Sequence, residues 1–435
     1  MLLEPAHERS LGCSPSARGP EAERHPEEPR LSRKSALALV VLPAALAVLG
    51  VVAAACPLAA EPQSRAFRQS FTVGSGAAQL RLDNLAGRVE LVAGQGGEVV
   101  VEATVHAEGS SAEETRQLLE GMKWVRARDS KGREEWALSY PVERYHSFHY
   151  PRGYQGHEKE ESSFWQLFVD GHSSTTYRGE RVRIYSSRRS AAPTLYADLR
   201  ISIPPGANVA VRDVVGAVRG GSLEGSLTVD TGSGSIDLAS FAGRLELDTG
   251  SGDVHVGSCR GETSIDTGSG DVVVRQLVGN GKVDTGSGDV KVEKVAAGKL
   301  SIDTGSGEVT VRDGMVGQLK ADTGSGEVRV LGVEIEELVA DTGSGEVTIR
   351  TSLANARRLT VKTGSGDVRI TAGAAASFDV SSDQGSGELR VGYPDATLRR
   401  AGRKVVGAHR GDGKTLIRVA TGSGDCMIGP HGIAN

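Results

Sequence analysis

The sequence predicts an all-β fold: a β-solenoid of stacked repeats of ~18–21 residues, with a short N-terminal helix and an irregular insert. Three observations lead there. Asp-Thr-Gly-Ser-Gly begins at Asp230, Asp248, Asp266, Asp284, Asp303, Asp322 and Asp341, spaced by 18 residues three times and then by 19 three times. The flanks of each copy alternate apolar and polar, the period of a strand with one buried face. Glycine is abundant at 58 residues while aromatics make up only 4% of the chain, a composition suited to short strands joined by sharp corners.

The alternation fixes which residues face inward. Before the turn at Gly305, Leu300, Ile302 and Thr304 share one face; after it, Val309 and Val311 continue it. The same parity surrounds Gly250 and Gly343. Residues between copies, such as Leu277, Val295, Met315, Val333 and Leu353, supply a third side or a return. One unit cannot bury its apolar face alone, so the units stack with equivalent residues about 4.8 Å apart. The repeat-turn pairs Asp248/Thr249, Asp266/Thr267, Asp284/Thr285, Asp303/Thr304, Asp322/Thr323 and Asp341/Thr342 then form ladders. The threonines point inward at a corner and the acidic residues form two outward ridges. Degenerate copies follow at Lys362–Gly366, Asp383–Gly387 and Ala420–Gly424.

Upstream, residues 1–34 are Pro-, Glu- and Arg-rich and read as disordered. Residues 35–60 follow Arg30, Arg33 and Lys34 and are apolar, ending in small residues. They read as a signal peptide or a membrane anchor, with Ala53-Ala54-Ala55-Cys56 approximating a lipoprotein box. The chain from about Glu61 is expected outside the cytoplasm: in the periplasm, cell envelope or cell surface, and attached to the membrane if the segment is uncleaved. Residues 61–141 read as an N-terminal β region with one helix. Phe71 to Ala103 alternates around a turn at Asn84-Leu85-Ala86-Gly87, Ser111 caps a helix with Glu114 three residues on, and Val125 to Tyr140 forms a hairpin. Residues 142–190 are an aromatic- and His-rich insert, and residues 191–435 are the solenoid repeat domain.

The net charge of −5 argues against a nucleic-acid partner. Cys13, Cys56, Cys259 and Cys426 are too scattered for a disulfide framework. No cofactor is implied.

Taken together, Leu82-Asp83-Asn84-Leu85-Ala86-Gly87-Arg88-Val89, the recurring Thr-Gly-Ser-Gly-Asp/Glu-Val and the ending Ile417-Arg418-Val419-Ala420-Thr421-Gly422-Ser423-Gly424-Asp425 resemble the bacterial putative-adhesin family of unknown function, described as toast-rack-like. The resemblance covers roughly Phe71 to Ile428 and implies an envelope-associated β-repeat protein. It carries over no catalytic residue.

Several sharper readings compete. Ile302-Asp303-Thr304-Gly305-Ser306 matches the active-site string of pepsin-like proteases, but that chemistry needs two opposed carboxylates, and recurrence makes a ladder instead. Gly-Ser-Gly-Asp echoes half of a calcium repeat, yet one or two carboxylates per rung fall short of six to eight oxygens. His146 and His149, with His157, could bind zinc. The favoured contact surface is the insert, through Tyr145, His146, Phe148, His149, Tyr150, Tyr154, Trp165 and Phe168, or else Phe164, Trp165, Leu167 and Phe168 cap a solenoid end. The expected function is adhesive, binding or scaffolding, without catalysis, toward a glycan or protein of the envelope. The alternatives are a carbohydrate-active β-helix enzyme, with Glu158, Glu160, Glu161, Asp170 and His172 as its candidates, or a calcium-binding repeat protein.

Overall fold

The computed structural model describes residues 61–72, 79–128, 134–151, 172–186 and 191–431. These residues form 29 strands and one α-helix. No helix among them is long and apolar enough to cross a membrane, and the apolar segment 35–60 lies outside the described residues.

The solenoid rises from the residue pattern rung by rung. Strands β11 (Ala207–Val215), β12 (Val218–Ser233), β13 (Ile236–Thr249) and β14 (Val254–Ser269) each pair in parallel with the next. Strands β15 to β21 carry the same rungs onward between Val272 and Arg350. Register is strict, because a slip of one residue would turn every apolar side chain outward. Val254 stacks on Ile236 and Val272, and Val256 on Leu238 and Val274. All are buried. Thr231, Thr249, Thr267, Thr285, Thr304, Thr323, Thr342 and Thr363 lie directly over one another, each at most 5% exposed. The third side is made as expected by Leu277, Val295, Val333 and Leu353, all buried. Met315 is the correction: it is 62% exposed. Gly314, which has no side chain to bury, stands in register with Val295, and Val316 turns in beside Ala297, which leaves Met315 on the outward position between them.

Both ends of the stack depart from chain order. Strands β2 (Leu80–Ala86) and β3 (Val89–Ala93), joined at Gly87, form a complete rung. β2 lies on β11, and β3 lies between β10 (Thr194–Ile203) and β12. The solenoid therefore begins inside the N-terminal β region, not at residue 191. β10 continues into an antiparallel sheet with β4 (Glu98–Glu108) and β1 (Gln63–Thr72). On the other face β2 meets the hairpin of β5 (Lys123–Arg128) and β6 (Glu134–Ser139). The helix α1 (Ala112–Gly121) starts at Ser111, whose hydroxyl accepts from Glu114 N at 3.1 Å. Glu114 reaches back to Ser110 N at 2.7 Å, a capping box displaced by one residue.

At the far end, β22 (Arg358–Thr363) and β23 (Val368–Ala372) are followed in sequence by β24 (Phe378–Gln384) and β25 (Leu389–Val391). They do not pair with each other. A hairpin of β26 (Thr397–Ala401) and β27 (Lys404–Arg410) folds onto β24, and then β28 (Thr415–Thr421) and β29 (Cys426–Pro430) enter between the two rungs. The last strands of the chain are thus an interior rung. Phe378 and Tyr393, with rings 5.5 Å apart and Arg410 over Tyr393, close this end with the aromatic area that the repeats lack.

Candidate functional site

The corner of each rung explains the motif residue by residue. Thr Oγ1 donates to the carbonyl of the second motif glycine one rung back: 3.2 Å for Thr249 to Gly234, 3.1 Å for Thr304 to Gly288, 2.8 Å for Thr342 to Gly326. Both glycines are required by close approach. A Cβ on Gly326 would lie 1.8 Å from Gly307 O, and one on Gly250 would lie 2.5 Å from Gly232 O. The change of spacing from 18 to 19 coincides with a change in the corner. In the earlier copies Gly234, Gly252 and Gly270 donate their N–H to the serine carbonyl of the next rung. In the later ones Gly307, Gly326 and Gly345 donate instead to their own rung's threonine hydroxyl, at 3.1–3.2 Å.

The two acidic ridges differ. On the ridge after the turn, aspartate is a rung-to-rung acceptor. Asp253 Oδ1 takes the N–H of Asp271, Asp271 that of Asp289, and Asp289 that of Glu308, at 2.8–3.0 Å. Where glutamate replaces aspartate, cations take over. Arg329 pairs with Glu308 and Glu327 and holds the Glu308 carboxyl below its ordinary range, and Arg369 reaches Glu346 at 2.9 Å. The ridge before the turn is more open. Asp230, Asp248, Asp266, Asp284, Asp303, Asp322 and Asp341 follow one another, partly neutralised by Lys282, Lys320 and Lys362 at 3.2–3.9 Å. Partial burial raises the Asp248 carboxyl, and its neighbours Asp230, Asp266 and Glu246 raise it further. Asp303 in the protease-like string stands in this single column beside Asp284 and Asp322, so it has no opposed partner of the kind that chemistry requires. Among the described residues, no three His, Cys, Asp or Glu side chains gather as metal ligands would. A shallow depression of about 500 Å³ opens where Ala420 interrupts the column between Lys362 and Asp383.

The insert residues are split. Phe148 and Tyr150 are enclosed at 0% and 1% exposure, which corrects their expected role as ligand contacts. They belong to the core, with Tyr140 6.0 Å from Phe148 and Tyr196 5.3 Å from Tyr150. The flanks of the insert form β7 (Ser147–His149), β8 (His172–Tyr177) and β9 (Glu180–Tyr185), and β7 pairs with both β9 and β10. His149 is buried with Nδ1 3.3 Å from Thr194 Oγ1, while His146 is exposed. With His146 at an exposed bend before β7 and His149 enclosed within it, the two imidazoles do not form the zinc pair. Tyr145 is half-buried, donates to Glu114 at 3.0 Å and lies under Arg144. Tyr145 and His146 are the expected contacts that remain reachable among the described residues. Tyr154, His157, Glu158, Glu160, Glu161, Phe164, Trp165, Leu167, Phe168 and Asp170 lie outside them.

The threonine column also has members that a search for threonine misses. It starts at Asn84 and Asp213 and ends at Thr421 and Gln384. Asp213 is fully enclosed and its carboxyl is pushed well up by burial, against a 2.8 Å bond from Asn84 Nδ2. Asp83, 1% exposed, begins the open ridge, and burial raises it to about 7 despite Arg212. That guanidinium is 3.9 Å away, close enough for charge but too far for a hydrogen bond. At the other end Arg399 binds Asp379 through both nitrogens at 2.7 and 2.8 Å, with His409 beside it, a clamp that fastens the β26–β27 hairpin. Ser377 donates to Asp412 and not to His409, so no nucleophile–base pair results.

Comparison with known proteins adds the following. The chain is similar to a putative lipid binding protein from Parabacteroides distasonis (10% identity, TM-score 0.32, 84% of this chain and 96% of that one). It is similar to a putative adhesin from Bacteroides fragilis (11%, 0.25, 84% and 97%) and to a putative cell adhesion protein from Clostridium sporogenes (10%, 0.13, 84% and 100%). No curated protein matches it. Residues 262–429, which span the later rungs and both C-terminal closing elements, match the model of the Toastrack DUF4097 family.

Proposed function

We propose that the protein is an exported component of the cell envelope with an adhesive, binding or scaffolding role and no catalytic activity. The observation that carries this reading is where the repeat chemistry is spent. Threonine hydroxyls, glycine carbonyls and the aspartates after the turn are used in joining one rung to the next. What remains outward is a periodic, anionic, rigid surface, suited to many weak contacts at strand spacing and not to a converging cleft. The segment 35–60 supplies the route out of the cytoplasm, as signal peptide or anchor, and the partner is a glycan or protein of the envelope.

The decisive variant removes residues 152–171 and joins Pro151 to His172. A wider deletion would also take Phe148, Tyr150 and Tyr177 from the core. Binding of isolated envelope fractions is then measured beside circular dichroism. Binding lost with the fold retained places the contact in the insert; binding retained places it on the repeat ridges. A wild-type protein that binds no envelope fraction would refute the adhesive and binding role.

A further inference from the structure

The first two positions of the threonine column are filled by an amide and a carboxyl. Asn84 Nδ2 donates to Asp213 Oδ1 at 2.8 Å and to Ala197 O at 3.1 Å. Tyr140 Oη lies 2.9 Å from Asn84 Oδ1 and 3.0 Å from Ala86 O. One small cluster thus joins β2, β10, β11 and the chain after β6. Asp213 Oδ2 has no hydrogen-bond partner, and neither does Asp83 Oδ1. A Cβ on Gly216 would meet Gly87 O at 1.7 Å and Asp213 Oδ2 at 2.5 Å, so these two oxygens converge on one point. In the following rungs, the threonine hydroxyl donates to the glycine carbonyl at the corresponding place. A neutral carboxyl has a proton to offer Gly87 O; a carboxylate has none and is repelled by it.

We propose that Asp83, Asn84 and Asp213 form a proton-dependent latch, which holds the N-terminal layer on the first rungs of the solenoid and loosens as the pH rises. The surroundings favour the neutral state. The titratable groups that face Asp213 among the described residues are Asp83 and Asp198, both acidic and neither able to stabilise a carboxylate, and the nearby Tyr140 is itself pushed up by burial. Asp83 is faced by Arg212 on β11 and Arg178 in the β8–β9 turn, and against these by Glu135 on β6 and Asp230 on β12. Tyr177, also raised by burial, packs on it and donates to Leu138 O at 2.6 Å. The sign follows from linkage. Both carboxyls sit above their ordinary range when enclosed. The closed state is therefore fully favoured below about pH 4, and it is lost progressively as pH climbs toward the enclosed value, about 7 for Asp83. This device is independent of which envelope component the protein contacts.

The test is hydrogen exchange on the full chain from pH 5 to 9, corrected for the intrinsic pH dependence of amide exchange. Opening at β2 and β11 is expected to increase by up to about tenfold per pH unit for each carboxyl, at least on the order of a hundredfold between pH 5 and 7, while β18 and β19 stay protected. Asp83→Asn should flatten that slope. Asp213→Thr, which installs the residue of the following rungs, should also make the slope shallower; if this variant does not fold, Asp83→Asn alone carries the test. Exchange at β2 and β11 that is indifferent to pH in the wild type, or an unchanged slope in Asp83→Asn, would overturn the latch. Equal opening at β18 and β19 would also overturn it, since the response would then be global.

Discussion

Replacing Thr304 with valine preserves shape and removes one oxygen, and the structure says what is left behind. Gly288 O loses its donor at 3.1 Å at a half-buried position, and the buried Gly307 N–H loses its acceptor at 3.2 Å. Each abandoned group costs about 1–3 kcal/mol, so about 2–6 kcal/mol together is expected, toward the lower end because Gly288 is half-buried. Thr249 is the built-in comparison. Its hydroxyl serves Gly234 O at 3.2 Å, but Gly252 N–H already donates to Ser269 O at 3.0 Å. Thr249→Val therefore abandons one acceptor and should cost about 1–2 kcal/mol. Thr304→Ser keeps the hydroxyl and loses a methyl, about 1 kcal/mol. Urea denaturation of the three variants, with exchange of the Gly307 amide as a local probe, gives the order Thr304→Val, then Thr249→Val, then Thr304→Ser. If Thr304→Val proves no more damaging than Thr249→Val, the double role assigned to the threonine hydroxyl in the 19-residue rungs is wrong.

Three further outcomes are expected. Gly326→Ala drives a methyl to 1.8 Å from Gly307 O and should cost more than about 3 kcal/mol or prevent soluble expression, whereas Gly97→Ala, with open space around it, should leave the melting temperature within about 2 °C. Asp271→Asn keeps an acceptor for Asp289 N–H and should be nearly neutral, while Asp271→Ala should cost about 0.5–1.5 kcal/mol; melts with chelator and with excess calcium should coincide, and a large calcium-dependent rise would restore the calcium-repeat reading. The Cys426 thiol, pushed up to about 12 by burial, should resist iodoacetamide at pH 8 in the folded protein and react once denaturant is added.

The rungs themselves were legible because each motif residue answers a local demand. Alternation names the inward side chains, and inward threonine with flanking glycine follows from corner stacking. The helix start at Ser111 was legible for the same reason. The ends were not. A parallel strand pairs through residues of identical pattern whichever neighbour it meets. Nothing in Ala420-Thr421-Gly422-Ser423-Gly424 therefore says that it lies between Thr363 and Gln384. The latch was missed because Asn84 and Asp213 are not threonines. Aligning Asn84-Leu85-Ala86-Gly87, Asp213-Val214-Val215-Gly216 and Thr231-Gly232-Ser233-Gly234 on the last glycine would have found both. Aromatic density in the insert suggested contact, yet enclosed area is what Phe148, Tyr150 and Tyr177 provide. Composition alone cannot tell a core aromatic from an exposed one.

The interleaved ends also bear on how such a chain changes length. The first and last rungs are each completed by strands from distant parts of the sequence, and the aromatic plug and the hairpin clamp are bound to those rungs. A unit added beyond β24 would have to displace the β26–β27 hairpin that pairs with it. A unit duplicated or lost in the middle, such as the block from Val309 to Glu327, would leave both closures intact and shift them by one strand spacing. Copy number can therefore drift in the interior while the two ends stay as they are, and relatives of different span can share the same endings.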